Sequence, residues 1–340
     1  MGAPTVRDVA RQAGVSVATV SYVLTGSRRV AAATRSRIEA AMRDLDFHPN
    51  RLAQGLARQR VDTVAVVLPA RGGAADPLFA EFVHGVQDGA HAGGFHLLLA
   101  SEGNLADAAA YEELVRGQAA AGLIVTSVRL EDARVAHLHR QRVPTVLFGR
   151  APDLPTVPWV DIDNRGALRE VVRHLATAGR RRIAYLGGPP GFAFAEDRRR
   201  GFLEGLGAHG LGVDLDLIRE GLPGLADGYR LAREVLEHGP DALVAVSDEM
   251  ACGALRAAQE RGLAVGGDLA VVGFDDSPLA RAAEPALTSV AQPTYEAGQW
   301  AARLLLDEIQ GRPGGHRLLP ARLVCRASSA APGPGRSGSG

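Results

Sequence analysis

The stretch VSVATVSYVL, Val15 to Leu24, runs for ten residues without a charge. As a β-strand it puts Ala18, Val20, Tyr22 and Leu24 on one face and Val17, Thr19, Ser21 and Val23 on the other, which suits a β-branched run. As a helix turning about 100° per residue, it gathers Val20, Val23 and Leu24 on one side, with Ala18, Ser21 and Tyr22 opposite and Val17 at the edge. The ten residues alone do not choose. Their flanks do. Ahead of them Thr5 can cap a helix in which Val6, Val9, Ala10 and Ala13 recur at helical spacing. Gly14 then supplies a tight turn, and Ser16 caps the next segment. Behind them TGS breaks the chain, and AAATRSRIEAAMRDL repeats apolar residues at Ile38, Ala41, Met42 and Leu45. Helix, short turn, helix and supporting helix make a helix-turn-helix, whose second helix lies in the major groove of DNA.

The absent charge then has a chemical reason. A base-reading face needs groups that approach base edges closely, and Val17, Ala18 and Tyr22 offer methyl contacts and one phenolic hydroxyl. Flanking arginines supply the attraction to phosphate. Residues 1–60 hold ten Arg against Asp8, Glu39, Asp44 and Asp46, a balance of +6. The whole chain is neutral at 38 basic against 38 acidic residues, so the remainder carries −6. A basic head on an acidic body reads as a nucleic-acid-binding module joined to something else, an ordinary solvated surface being the alternative. No lysine occurs anywhere, which removes Walker phosphate loops, Schiff-base nucleophiles and Ser-Lys dyads.

With 340 residues, 46% of them apolar, the chain can build two or three domains with real cores. No run approaches a membrane span and the start carries no secretory signal pattern, so the expectation is a cytoplasmic, nucleoid-associated protein without membrane contact. Cys252 and Cys325 stand far apart in apolar runs, which gives little support to a disulfide framework or thiolate metal site.

The segment TVRDVARQAGVSVATVSYVLTGSRRVAAATRSRIEAAMRDLDFHPNRLAQGLA, Thr5 to Ala57, resembles the DNA-binding headpiece of the lactose/galactose repressor (LacI/GalR) family almost position for position. The resemblance implies a hinge helix at 50–60 that folds on DNA, with Leu56 as a minor-groove wedge and Asn50 and Ala53 beside it; an apolar wedge in a base step kinks the duplex. It further implies that Thr5, Ser16, Thr19, Ser21, Arg29, Thr34 and Asn50 contact the backbone, while Val17, Ala18 and Tyr22 hold the specificity positions.

From Val61 onward short apolar runs alternate with helical stretches: TVAVVLP, FHLLLA, GLIVTS, PTVLFG, RIAYLGG, ALVAVSD and LAVVGFD. Continuous runs suit strands buried on both faces, hence a parallel α/β sheet, and the length suggests two such units. This resembles the periplasmic-binding-protein-like body of the same family: two doubly wound parallel-sheet subdomains over 61–327, with crossovers near 161, 291 and 319 and a ligand in the cleft. The carry-over rests on DPLFAEFVHGVQDGA, which brings Leu78 and Phe79 to the ligand, on VDIDNRGALREVVRHLATAGRRRIAYLGG at the crossing, and on EDRRRGF, which places Arg198. VSDEMACGAL and VVGFDDSPLA place Ser247, Asp248 and Asp275, and EPALTSVAQP resembles the return crossover. Arg198 and Asp275 together, a fork of donors and a carboxylate, can satisfy the hydroxyls of a sugar or the edge of a base; a cross-cleft ion pair is the alternative. Asp248 is expected to cap the helix from Glu249, with ligand contact as the alternative. The chain departs from the family pattern at Ser247, Phe192, Phe194 and Pro223, which points to a more apolar pocket or an unusual ligand.

Other motifs carry less. Gly205 to Gly210 satisfies G-x-G-x-x-G but ends a helix instead of joining strand to helix. His137 and His139 lie two apart on a helix without a third ligand, and a solvated face explains them. Asp275 and Asp276 adjoin in sequence, so their side chains point apart instead of forming an acid–base pair. Residues 328–340 read as a disordered tail lacking the Leu heptads that build tetramers.

The expectation is therefore α/β: an N-terminal all-α helix-turn-helix headpiece, residues 1–49, on the two-subdomain body. A homodimer would bind a palindromic operator in double-stranded DNA, as a repressor, under the control of a small-molecule effector, a sugar or sugar derivative. Neither catalysis nor a cofactor is expected. The rivals are a carbohydrate-binding protein or a carbohydrate-acting enzyme of the same body fold with an accessory head.

Overall fold

The computed structural model describes residues 4–25, 28–47, 61–68, 77–101, 108–312 and 314–330. The chain divides into a unit Met1–Asp62 and a unit Thr63–Gly340. The first holds α1 (Val6–Ala13), α2 (Val17–Thr25) and α3 (Ala32–Asp44), so the opening stretch is helical from Val17 onward. Val9, Ala10 and Ala13 of α1, Val20 of α2 and Ile38 and Ala41 of α3 are buried against one another, with Val23 and Leu24 packed on them. Phe47, beyond the apolar repeat of α3, closes this core.

In the second unit the order is β1 (Thr63–Leu68), α4 (Pro77–Ala92), β2 (His96–Ser101), α5 (Ala108–Arg116), β3 (Leu123–Val125), α6 (Ala133–Arg140), β4 (Thr145–Phe148) and β5 (Trp159–Ile162). There follow α7 (Asn164–Thr177), β6 (Ile183–Gly187), α8 (Ala193–Ala208), β7 (Ile218–Glu220), α9 (Leu225–Leu236), β8 (Ala242–Ala245), α10 (Asp248–Glu260) and β9 (Ala270–Asp275). The last elements are α11 (Pro278–Ala282), β10 (Thr288–Ala291), α12 (Thr294–Ile309), β11 (His316–Leu319) and β12 (Arg322–Val324).

Two six-stranded sheets result, in the orders β11-β5-β4-β3-β1-β2 and β12-β10-β9-β8-β6-β7. Among the described residues every strand pairing is parallel except β10 with β12. The chain leaves the first sheet after β5, returns from β10 through α12, and crosses again between β11 and β12. Alternation explains the continuous apolar runs: along β1, Val64 and Val66 enter the core under α4 and α12, while Ala65 and Val67 enter the core under α5 and α6.

Close helix contacts fix the elements that carry the site. A Cβ on Gly85 of α4 would lie 2.0 Å from the Tyr295 carbonyl oxygen of α12, and one on Gly201 of α8 would lie 2.3 Å from the Arg165 carbonyl oxygen of α7. Only glycine permits backbones to approach so closely.

Three expectations need correction. β2 is an edge strand, not one buried on both faces, and Leu99 is 48% exposed. Ser328 and Ser329 are not part of a disordered tail, because both are buried, and residues 331–340 of the expected tail lie outside the described residues. Ser328 Oγ donates to the Val271 carbonyl at 2.6 Å and Ser329 Oγ lies 2.7 Å from Thr288 Oγ1. His137 is half-buried, its Nε2 lying 2.7 Å from the buried Glu112 carboxylate, and only His139 of the pair is exposed.

Candidate functional site

Two surfaces carry the residues singled out above. On the head, Gly14 turns the chain at φ 64°, and Val15 N donates to the Ala10 carbonyl at 3.1 Å, so α2 starts at once. Ser16 Oγ accepts from Thr19 N at 3.1 Å and lies 2.8 Å from Thr19 Oγ1, which caps α2. Thr5 donates to the Asp8 carboxylate from its backbone N at 2.9 Å and its hydroxyl at 2.7 Å. These hydrogen bonds, and then Arg11, hold Asp8 below the usual carboxylate range.

With Val20 turned inward, Val17 and Ala18 are exposed and Tyr22 is half-buried. The Arg28 guanidinium lies over the Tyr22 ring at 5.8 Å. Arg29 is exposed, Thr34 stands in the first turn of α3, and Ser21 is half-buried on α2. Asn50, Ala53 and Leu56 fall outside the described residues.

In the body, a cavity of about 230 Å³ opens where both sheets end, bounded by the C-terminal ends of β4, β5 and β9, the segments after β3, β8 and β10, and the starts of α4, α7 and α8. Strand ends of open parallel sheets are where such folds place ligands. Its polar end is built on Arg198, which is 7% exposed. Nε donates to Asn164 Oδ1 at 2.8 Å, Nη1 donates to the Val246 carbonyl at 2.7 Å, and the guanidinium lies 3.7 Å from the centre of the Phe274 ring. Burial pushes the Arg198 pKa down and Asp275 pulls it back up. Asp275 accepts from Gln292 Nε2 at 2.7 Å and holds φ at 116°, a backbone conformation rare outside glycine and common at working sites.

Asp161, on the crossover strand β5, is a second carboxylate in the wall. Burial lifts its pKa to about 6 against the opposing pull of Arg150, whose Nε donates to Oδ2 at 2.7 Å. The lining is also aromatic: Phe82 stacks on Phe148 at 4.4 Å, Phe79 lies 6.0 Å from Phe82, and the Arg198 guanidinium lies over the Phe194 ring at 5.1 Å.

Leu78, Phe79, Phe194, Arg198, Ser247 and Asp275 thus meet around one cavity, with Pro223 at its edge. Phe192 and Asp248 do not line it. Phe192 is the residue ahead of α8, under the Arg129 guanidinium at 5.4 Å. Asp248 lies behind the wall, accepting from Ser289 Oγ at 2.5 Å and Ser277 N at 2.7 Å. The cap of α10 is Ser247, which accepts from Met250 N at 3.1 Å, not Asp248.

Sequence reasoning missed Phe82, Phe148, Asp161, Asn164 and Gln292. Four of these lie within two residues of a strand's C-terminal end, so reading those positions of every strand would have found them; Phe82 lies one turn beyond Leu78 on α4. Among the described residues no group of three or more His, Cys, Asp or Glu can hold a metal ion, and no helix is long and apolar enough to cross a membrane.

Residues 5–50 match the model of bacterial regulatory proteins, lacI family, and residues 172–329 match a periplasmic binding protein-like domain. The chain is 38% identical to the HTH-type transcriptional regulator CelR of Thermobifida fusca, across 94% of this chain and 95% of that protein. The solved CelR–cellobiose complex aligns with a TM-score of 0.74 at 36% identity, covering 96% of this chain and 99% of the other. The lac repressor dimer bound to operator and the anti-inducer ONPF aligns with a TM-score of 0.87 at 31% identity, covering 97% and 100%.

Proposed function

Since the chain belongs to the lacI family of bacterial regulatory proteins, and is a DNA-binding transcriptional regulator that answers to a small molecule, we propose that its effector is a neutral sugar held around Arg198. The observation that carries this is the charge balance of the cavity. Asp275 offsets Arg198, and Arg150 offsets Asp161. A phosphorylated ligand would bring negative charge against two carboxylates with no spare cation among the described residues that line the cavity, at a cost in a low-dielectric site. A neutral ligand with several hydroxyls meets donors at Arg198 and acceptors at Asp275 and Asp161, while Phe194 and the Phe82–Phe148 pair cover its apolar faces. The CelR–cellobiose complex makes cellobiose and other β-glucosides the first candidates.

On the head, Val17, Ala18 and Tyr22 read base edges in the major groove, and Thr5, Ser16, Thr19, Ser21, Arg29 and Thr34 face the phosphates. Two copies meet a two-fold operator, since a dimer presents two identical reading helices. The protein acts in the cytoplasm, where its DNA is, and no chemical step belongs to this reading.

A thermal-shift series with neutral sugars and their phosphates tests the effector. Stabilisation by one or more neutral sugars, absent with the matching phosphates, is expected. Stabilisation by the phosphates alone would overturn the reading.

A further inference from the structure

We propose that Arg150 is the positioning residue through which occupancy of the cleft sets the placement of the two subdomains; the effector arm of this idea rests on the cavity being the sugar site. Arg150 follows β4 in the first subdomain, and its guanidinium reaches in two directions. Nε donates to Asp161 Oδ2 at 2.7 Å, and Nη2 donates to Asp197 Oδ2 at 2.5 Å. Asp161 is a wall of the cavity. Asp197 lies on α8 of the second subdomain, immediately before Arg198. One side chain therefore joins a cavity carboxylate to the helix that carries the cavity's guanidinium.

The contact sits in a seam between the subdomains. The segment after β3 and the segment before α8 exchange two backbone hydrogen bonds, Leu130 N to the Gly191 carbonyl at 2.8 Å and Ala193 N to the Val128 carbonyl at 3.0 Å. Each of these contacts spans the two subdomains, so each belongs to one relative placement and is lost in another. Contacts of that kind set the balance between two arrangements.

Arg150 differs from the backbone pair in being answerable to the ligand. Asp161 Oδ1 already accepts from Ile162 N at 2.8 Å, and Oδ2 takes Arg150. A sugar hydroxyl donated to Asp161 draws on the same lone pairs and weakens the hold on Arg150, and through it on Asp197 and α8. Arg150 also lies 5.7 Å over the Trp159 ring, so a change in its position alters the surroundings of one of the two tryptophans.

The test uses the full-length dimer. Operator affinity is measured without ligand on a duplex selected with this protein from a random pool, and cellobiose affinity is measured by calorimetry, for the wild type, Arg150→Met, Asp197→Asn, the double variant and Arg150→Lys. Either single change is expected to move operator affinity without ligand by roughly 3- to 10-fold, the two being non-additive in the double variant. Arg150→Lys restores part of the effect, keeping the charge without the fork. In a Trp300→Phe background, cellobiose is expected to change Trp159 emission, and Arg150→Met to remove that change while cellobiose still binds.

Operator affinities within 2-fold of the wild type, with only the melting temperature lowered, would overturn the proposal in favour of a plain stabilising contact, as would additive effects of Arg150→Met and Asp197→Asn. Failure of the sugar reading looks different: cellobiose and other neutral sugars leave every variant unmoved, while the operator arm still decides the role of Arg150.

Discussion

On α2 the outward side chains Val17, Ala18 and Tyr22 carry no charge and meet water, whereas the cleft buries a guanidinium and a carboxylate among phenyl rings. Val17 and Ala18 are exposed and lie outside the head's core, so they can be exchanged at small cost to stability, and Tyr22 is only half-buried. Arg198 is held by Asn164, Val246 and Phe274, so its removal leaves buried partners unpaired. Specificity for DNA can therefore change by single substitutions, while specificity in the cleft is tied to the packing around it.

The largest expected difference between the two regions comes from Arg198→Ala. It lowers effector affinity by about 100-fold or more, since a charged hydrogen-bonding group is lost from a buried site, and leaves operator affinity without ligand within about 3-fold. Calorimetry and anisotropy on the same preparation check both halves. Next is salt. Raising it from 50 to 200 mM should weaken operator binding by more than about tenfold through counterion release, while effector affinity, governed by buried groups and a neutral ligand, changes less than about 2-fold. A shared salt dependence would erase the distinction drawn here.

Tyr22→Ala sharpens the reading of the head. It is expected to relax discrimination at one base pair per half-site by about 1–3 kcal/mol in a binding-site selection; an equal loss on all sequences would make Tyr22 a backbone contact. Gly14→Ala forces a side chain into the left-handed region and should destabilise the head unit by about 1–2 kcal/mol in denaturant titration, with effector affinity unchanged.

The smallest effect concerns Asp161. Burial holds its pKa at about 6 against an ordinary 3.8, so its contribution to stability is full below about 3.8 and is lost as pH rises through about 6. Relative to Asp161→Asn, which does not titrate, the wild type should gain roughly 2 °C in melting temperature between pH 7 and pH 5; a pH-independent gap would contradict the shift.

The same contrast explains what could be read from the chain. Helical spacing, the caps and Gly14 lie within a few residues of one another, so the helix-turn-helix was legible from local pattern. Seven of twelve strands announced themselves as apolar runs. β5, β7, β10, β11 and β12 span only three or four residues and mix charge or hydroxyls with apolar residues, because they are short pieces at edges and crossings. In the cleft, resemblance supplied Arg198 and Asp275, but Asp161 and Asn164 look in sequence like a helix entry, and Phe148 looks like strand core. Their role comes from ending at the same place as residues far away in sequence, Asn164 and Arg198 being 34 positions apart, which periodicity does not record. Asp248, expected to cap a helix and only alternatively to meet the ligand, does neither: Ser247 caps α10, and two hydrogen bonds hold Asp248 behind the wall.

The most direct test of the account is operator affinity of the full-length dimer, by fluorescence anisotropy, across a panel of neutral sugars and their 6-phosphates, in wild type and Arg198→Ala. The account predicts that one or more neutral sugars shift wild-type affinity several-fold, that the phosphates do not, and that Arg198→Ala binds the duplex without responding. A response to the phosphates alone, or one that survives in Arg198→Ala, would contradict it.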